Sequence, residues 1–184
     1  MQALDKIIPQ VMTPAFIYDE GDIARNIKNV KQCINDDVCQ LLFPLKSFSL
    51  IDALSLIGAS VNGFSVSSLF EARLAKQVLG SNKSIHLTTP GLRADEIDEL
   101  STICDFISFN SLSQYERFQK VAIGKASCGI RVNPQLSFIK DKRYDPCRIQ
   151  SKLGIPITHL AEKLKDHLLP DNDIKGIHFH TNCE

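Results

Sequence analysis

A chain of 184 residues, 43% of them apolar, is long enough for one globular domain with an ordinary core. Lysine plus arginine (21) equals aspartate plus glutamate (21), with the two signs interleaved, so the footprint of a nucleic-acid binder is missing and a small-molecule partner is expected. No segment approaches the roughly 20 apolar residues that span a bilayer and the first ten residues lack a signal-peptide run, so no membrane partner is expected and the chain reads as cytoplasmic.

After a short extended piece, Thr13-Pro-Ala-Phe-Ile-Tyr18, the spacing of Ile23, Ile27, Val30 and Ile34 predicts a helix, which Asp19 or Asp22 can cap. Candidate strands follow at Val38–Leu45, Val61–Val66, Ser84–Thr88, Phe106–Phe109, Cys128–Val132 and Ile174–Phe179. Helical patterns lie near 49–58, 68–79, 93–103, 111–121 and 157–168. Short apolar strands separated by helix-length segments are what parallel βαβ units require, so the fold class is α/β. Ser67-Ser-Leu-Phe-Glu71 and Ser111-Leu-Ser-Gln-Tyr-Glu116 look like helix starts, the first a capping box with Glu71 three residues after Ser68. From Pro134 to Leu153 the rhythm breaks without an apolar period, as in a binding loop or a disordered insert at a strand's carboxyl end. The six cysteines (Cys33, Cys39, Cys104, Cys128, Cys147 and Cys183) form no C-x-x-C pair, which disfavours a zinc knuckle or a disulfide framework; most read as small buried hydrophobes.

Alternation along the first strand puts Leu42, Pro44 and Lys46 on one face, with Lys46 ending the strand and facing inward. An amine confined in an apolar mouth has a depressed pKa and forms a Schiff base with an aldehyde cofactor; the bland alternative is a solvated lysine opening the next loop. His178 and His180 share one strand face, where they can bind a metal, stack on a flat cofactor or sit as hydrogen-bonded core residues. Arg131, the one charge within an apolar strand, needs an acidic or phosphate-like partner, either a ligand or a local carboxylate. Ser65, Ser67, Ser68, Asn110 and Ser111 add small polar groups to the same rim, with helix capping as their default role. The absence of G-x-G-x-x-G, G-x-x-x-x-G-K-[ST] and G-x-S-x-G argues against nucleotide and serine-hydrolase chemistry.

Taken in order, Thr13-Pro-Ala-Phe-Ile-Tyr-Asp, Pro44-Leu-Lys-Ser-Phe, Gly63-Phe-Ser-Val-Ser-Ser-Leu-Phe-Glu-Ala-Arg, Phe109-Asn-Ser-Leu-Ser-Gln-Tyr-Glu-Arg-Phe, Gly129-Ile-Arg-Val-Asn-Pro, Tyr144-Asp-Pro-Cys147 and His178-Phe-His-Thr-Asn-Cys-Glu resemble the carboxynorspermidine (carboxyspermidine) decarboxylases. These are pyridoxal-phosphate enzymes of the alanine-racemase-like fold group. The resemblance implies that Lys46 carries pyridoxal 5'-phosphate, that His180 stacks on its ring, that Arg131 lies near its phenolic oxygen and that Ser67 also touches the cofactor, with no metal. It implies a lyase converting carboxynorspermidine or carboxyspermidine to norspermidine or spermidine plus carbon dioxide, for which Glu184, Tyr144 and Lys152 are the substrate-binding candidates. The chain departs from the pattern at Pro44, Ser47 and Lys152, and Pro44, which cannot donate to a ladder, is expected to bend the end of its strand.

The resemblance further implies a partial (β/α) TIM-type barrel of about six βα units over residues 19–184. Residues 1–18 would lead into it and pair with a β-domain. The last barrel strands and that C-terminal β-domain are expected to be missing, leaving open sheet edges, and the full-length form is expected to be a homodimer. Two other readings stand beside this one: a truncated, non-catalytic cofactor-binding or regulatory module, and, further behind, a metal-dependent hydrolase using His178 and His180.

Overall fold

The computed structural model describes residues 4–35, 37–165 and 174–181. A one-turn helix α1 (Leu4–Ile7) leads to α2 (Glu20–Lys31), and β/α alternation begins with β1 (Leu42–Pro44). There follow α3 (Ile51–Ser60), β2 (Gly63–Val66), α4 (Leu69–Val78), β3 (Ser84–Thr88), α5 (Ile97–Ile103), β4 (Phe106–Phe109), α6 (Leu112–Ala122) and β5 (Ser127–Asn133). The described part closes with a two-residue β6 (Ile155–Pro156), α7 (Ile157–Lys165) and β7 (Ile174–His178). All strand pairings are parallel; β1 to β5 lie in chain order, β7 pairs with β5, and β6 joins only the last two residues of β5. This is the alternating architecture of a partial (β/α) barrel. The strands agree with those expected from the sequence to within a few residues, β6 excepted.

One strand face builds the core. Phe64, Val66, Ile85, Leu87, Ile107, Phe109 and Cys128 point into the helix layer and pack on Leu54, Ile57, Ala72, Ala75, Leu100, Tyr115 and Phe118. The alternate residues, among them Ser65, His86, Thr88 and Ser108, are only partly covered on the opposite face. Side-chain caps start three helices: Asp19 accepts from Asp22 N–H, Ser68 from Glu71 N–H and Ser111 from Gln114 N–H. The capping box at α4 differs from the expected one. The Glu71 carboxylate takes the N–H and hydroxyl of Ser67, at 2.7 and 2.9 Å, one residue before the cap.

The first strand is shorter than the apolar run that signals it. Before Leu42 the ladder is continued by a side chain, since Asn62 Oδ1 accepts the Leu41 N–H at 2.9 Å while the Asn62 N–H donates to the Leu41 carbonyl. After Pro44 the chain turns into a 3-10 segment, Leu45–Ser47, in which the Ser47 hydroxyl closes on the Pro44 carbonyl at 2.7 Å. Lys46 therefore does not end a strand, as alternation predicted; it stands on the turn beyond it. Proline's missing donor stops the ladder there, and the serine captures the freed carbonyl. Among the described residues no helix is long and apolar enough to cross a membrane.

Candidate active site

The carboxyl ends of the strands converge on a cavity of about 600 Å³. Lys46 reaches it from the turn after β1, Ser65, Val66 and Ser67 from the end of β2, Thr88 from β3, Arg131 from β5, and His178 and His180 from β7 and the residues after it. Carboxyl ends are where parallel α/β sheets place ligands, because the loops that follow are free to vary without disturbing the layer beneath. A depression of about 640 Å³ lies at the opposite strand ends, lined by Ser84, Asp105, Phe106, Ser127 and Lys175. Two cations beside it are already engaged, Lys125 with Asp98 and Lys83 with the carbonyls of Gly58 and Val61, so it lacks the convergence of free chemistry at the carboxyl end.

Arg131 is 9% exposed, a guanidinium held in the wall at the end of an apolar strand. Burial, then the charges of Arg131, His180 and Lys46, push the His178 imidazole down to about 4. Burial and the charges of Arg131 and Lys46 lower His180 as well. Both rings are accordingly neutral near pH 7. His178 Nδ1 is buried and accepts or donates no hydrogen bond within the described residues, an arrangement that costs free energy unless something bound there meets it.

The loop between β5 and β6 forms the remaining wall through Arg143, Tyr144, Asp145, Pro146, Arg148 and Leu153. It is ordered by local chemistry rather than by an apolar period. Asp145 Oδ1 accepts the Cys147 N–H at 2.8 Å, Arg148 donates to the Asp145 carbonyl at 2.9 Å, and the Cys147 thiol donates to the His180 carbonyl at 3.1 Å. Its far end is fixed by Asn110, whose Nδ2 donates to the Lys152 carbonyl at 2.8 Å and whose Oδ1 accepts the Gly154 N–H at 3.0 Å. At Gly154 (φ +90) the chain passes so close to β5 that a Cβ would lie 2.8 Å from Asn133 N and 3.2 Å from Arg131 Cγ. Glycine is needed there on both counts.

Of the residues singled out from sequence, the structure gathers Lys46, Arg131, His180, Ser67 and Tyr144 on one cavity. Lys152 contributes its backbone carbonyl to the Asn110 clamp, and its side chain is not among the lining groups, because the clamp sets the loop's direction at that point. Glu184 lies outside the described residues. Sequence reasoning singled out the loop from Tyr144 to Lys152 for the polyamine cation without ranking Asp145 or Arg148 within it, and passed over Arg143. Their signal was their place in an aperiodic insert at a strand's carboxyl end, without a pattern to rank them. Among the described residues no group of three or more His, Cys, Asp or Glu side chains converges to hold a metal, which leaves the hydrolase reading of His178 and His180 without further ligands.

The donor set fits a flat, anionic aldehyde: an amine to hold it, neutral imidazoles beside it, hydroxyls of Ser65, Ser67 and Thr88, the Arg131 guanidinium, and one unmet polar atom, His178 Nδ1. Fold and cavity together define a barrel domain of the pyridoxal-phosphate type. The chain belongs to the pyridoxal-dependent decarboxylases, matching their pyridoxal binding domain over residues 20–183. It is 34% identical over 176 residues to a carboxynorspermidine/carboxyspermidine decarboxylase of Campylobacter jejuni, covering 95% of this chain and 44% of that protein. It is 30% identical to a carboxyaminopropylagmatine decarboxylase of Synechocystis, covering 94% and 43%. The chain thus spans less than half the length of these curated relatives. Among solved structures it is similar to Campylobacter jejuni carboxynorspermidine decarboxylase complexed with norspermidine, with TM-score 0.76, 30% identity and coverage of 94% and 42%. Helicobacter pylori diaminopimelate decarboxylase, at TM-score 0.79 and 21% identity, shares the fold.

Proposed function

We propose that this chain is the cofactor-binding part of a decarboxylase that converts carboxynorspermidine or carboxyspermidine to norspermidine or spermidine plus carbon dioxide. The observation that carries the reading is the convergence of Lys46, Arg131, His178 and His180 on one cavity, in a chain 34% identical to a carboxynorspermidine/carboxyspermidine decarboxylase. Pyridoxal phosphate, when bound, supplies an electron sink for the pair left behind as the carboxylate departs. Lys46 Nζ, on the turn after β1 rather than inside a strand, would hold the cofactor's aldehyde. The neutral His180 ring would stack on the cofactor without adding a competing positive charge. Arg131, buried in the wall, would lie near the cofactor's phenolic oxygen and favour its anionic form. Ser67, whose hydroxyl is oriented by Glu71, lies at the cavity edge beside the cofactor. Tyr144, at the mouth, contacts the substrate's chain. The same reading makes the full-length form a cytoplasmic homodimer.

Borohydride reduction of the chain with pyridoxal phosphate is the test. A single fixed cofactor on Lys46, absent in Lys46→Ala, is the expected result; fixation on another lysine, or equal fixation in the variant, overturns the assignment.

A further inference from the structure

Among the described residues, the cavity that gathers four cations carries a single carboxylate in its wall, Asp145. It is 6% exposed, and its one hydrogen bond within the described residues is from the Cys147 N–H to Oδ1. Its cationic neighbours in the loop are turned elsewhere: Arg143 is paired in two-pronged fashion with Asp141, and Arg148 donates to the Asp145 backbone carbonyl rather than to the carboxylate. One oxygen of this carboxylate takes no hydrogen bond within the described residues, and a charge enclosed in the wall of a cavity is stabilised by a positive partner. A polyamine, the other ligand of the cavity, carries such groups.

We propose that the Asp145 carboxylate is the subsite for an ammonium group of a polyamine substrate, the group distant from the carbon that loses its carboxylate. The inference rests on the decarboxylase reading above and deepens it. Asp145 sits on the loop wall, whereas Lys46 and Arg131 come from the barrel strands and the turn after β1, so a ligand spanning the cavity presents one end to each. The charge pattern also sorts substrates. A chain with a second ammonium finds a counter-charge at the loop wall, whereas an amino acid with an apolar tail offers Asp145 none and is disfavoured.

Asp145→Asn separates this role from loop structure, because asparagine keeps an Oδ1 to accept the Cys147 N–H and loses only the charge. Norspermidine binding to the chain incubated with pyridoxal phosphate is measured by calorimetry, alongside borohydride fixation on Lys46 and urea unfolding. The expected result is binding weakened roughly tenfold or more in D145N, with affinity in the wild type falling as salt is added, and with cofactor fixation and unfolding midpoint at wild-type levels. Equal norspermidine affinity in the two proteins overturns the proposal, and so does a wild type that fixes cofactor and binds no norspermidine. A D145N chain that loses cofactor fixation or its fold also overturns it, since the carboxylate then serves to shape the loop. A wild type that neither fixes cofactor on Lys46 nor binds norspermidine removes the decarboxylase reading itself.

Discussion

Asn110, at the end of β4, holds Gly154 across 44 residues of sequence: its Oδ1 accepts the glycine N–H while its Nδ2 takes the carbonyl of Lys152. The side chain is 7% exposed, and its own N–H is bonded by Gln114, whose amide donates in turn to the Pro90 carbonyl. One asparagine thereby ties the rim of β3 and β4 to the loop that walls the cavity.

Asn110→Ala strips two backbone groups of their partner and is expected to cost about 1–3 kcal/mol, the range for leaving buried polar groups unmet. Urea unfolding measures the loss, and limited proteolysis should cut faster between residues 134 and 153. An unchanged midpoint together with unchanged cleavage would show that the clamp is idle.

Gly154→Ala combines a left-handed backbone with a Cβ lodged 2.8 Å from Val132 C and Asn133 N. Strain of about 1–3 kcal/mol is expected, and the displaced backbone presses on the stem of Arg131. Cofactor affinity should therefore fall with stability. Wild-type values for both would mean that the loop can lift away from β5 without consequence.

The depressed His178 sets a pH dependence whose sign follows from where each state takes up its proton. The unfolded ring protonates near 6.5 and the folded one near 4. Stability is therefore full above about 6.5 and declines as pH falls toward 4, where the unfolded chain alone binds the proton. His86, lowered by burial against the opposing charge of Asp105, adds in the same direction. For His178 the loss is on the order of 1–3 kcal/mol after allowance for its partial exposure. Urea midpoints across that window should drop less in His178→Asn than in the wild type; parallel curves would remove His178 from the account.

Burial pushes the Cys104 thiol up to about 12, and Cys128 and Cys147 are equally enclosed, while Cys33 and Cys39 are exposed. Iodoacetamide should modify Cys33 and Cys39 in the folded chain and reach the other three only after unfolding, as read by peptide mass mapping. Rapid labelling of Cys147 would mean that the loop beneath His180 opens freely.

Much of the fold was legible because both of its periods are local. Strands β3 and β4 lie at the bounds their apolar runs predicted, and Ser68 and Ser111 cap the helices they were expected to start. Where a side chain from elsewhere intervened, the reading slipped. Asn62 stands in for the ladder before Leu42, and the Ser47 hydroxyl ends it after Pro44, so β1 is three residues where the apolar run suggested eight. The pairing of Ile155–Pro156 with Val132–Asn133 had no periodic signature at all, since two residues make no pattern.

What the sequence by itself determined is the order of strands and helices and the chemical identity of the amine, guanidinium and imidazoles, because hydrophobic alternation and side-chain type are properties of neighbours along the chain. What only the tertiary structure decided is that Lys46 leaves its strand for a turn, that Lys152 turns its carbonyl rather than its ammonium to use, and that Asp145 shares a wall with the cations. Those outcomes depend on hydrogen bonds and close approaches between residues tens of positions apart, such as Asn110 with Gly154 and Gly154 with Arg131. The spacing of residues within any one segment carries no trace of them.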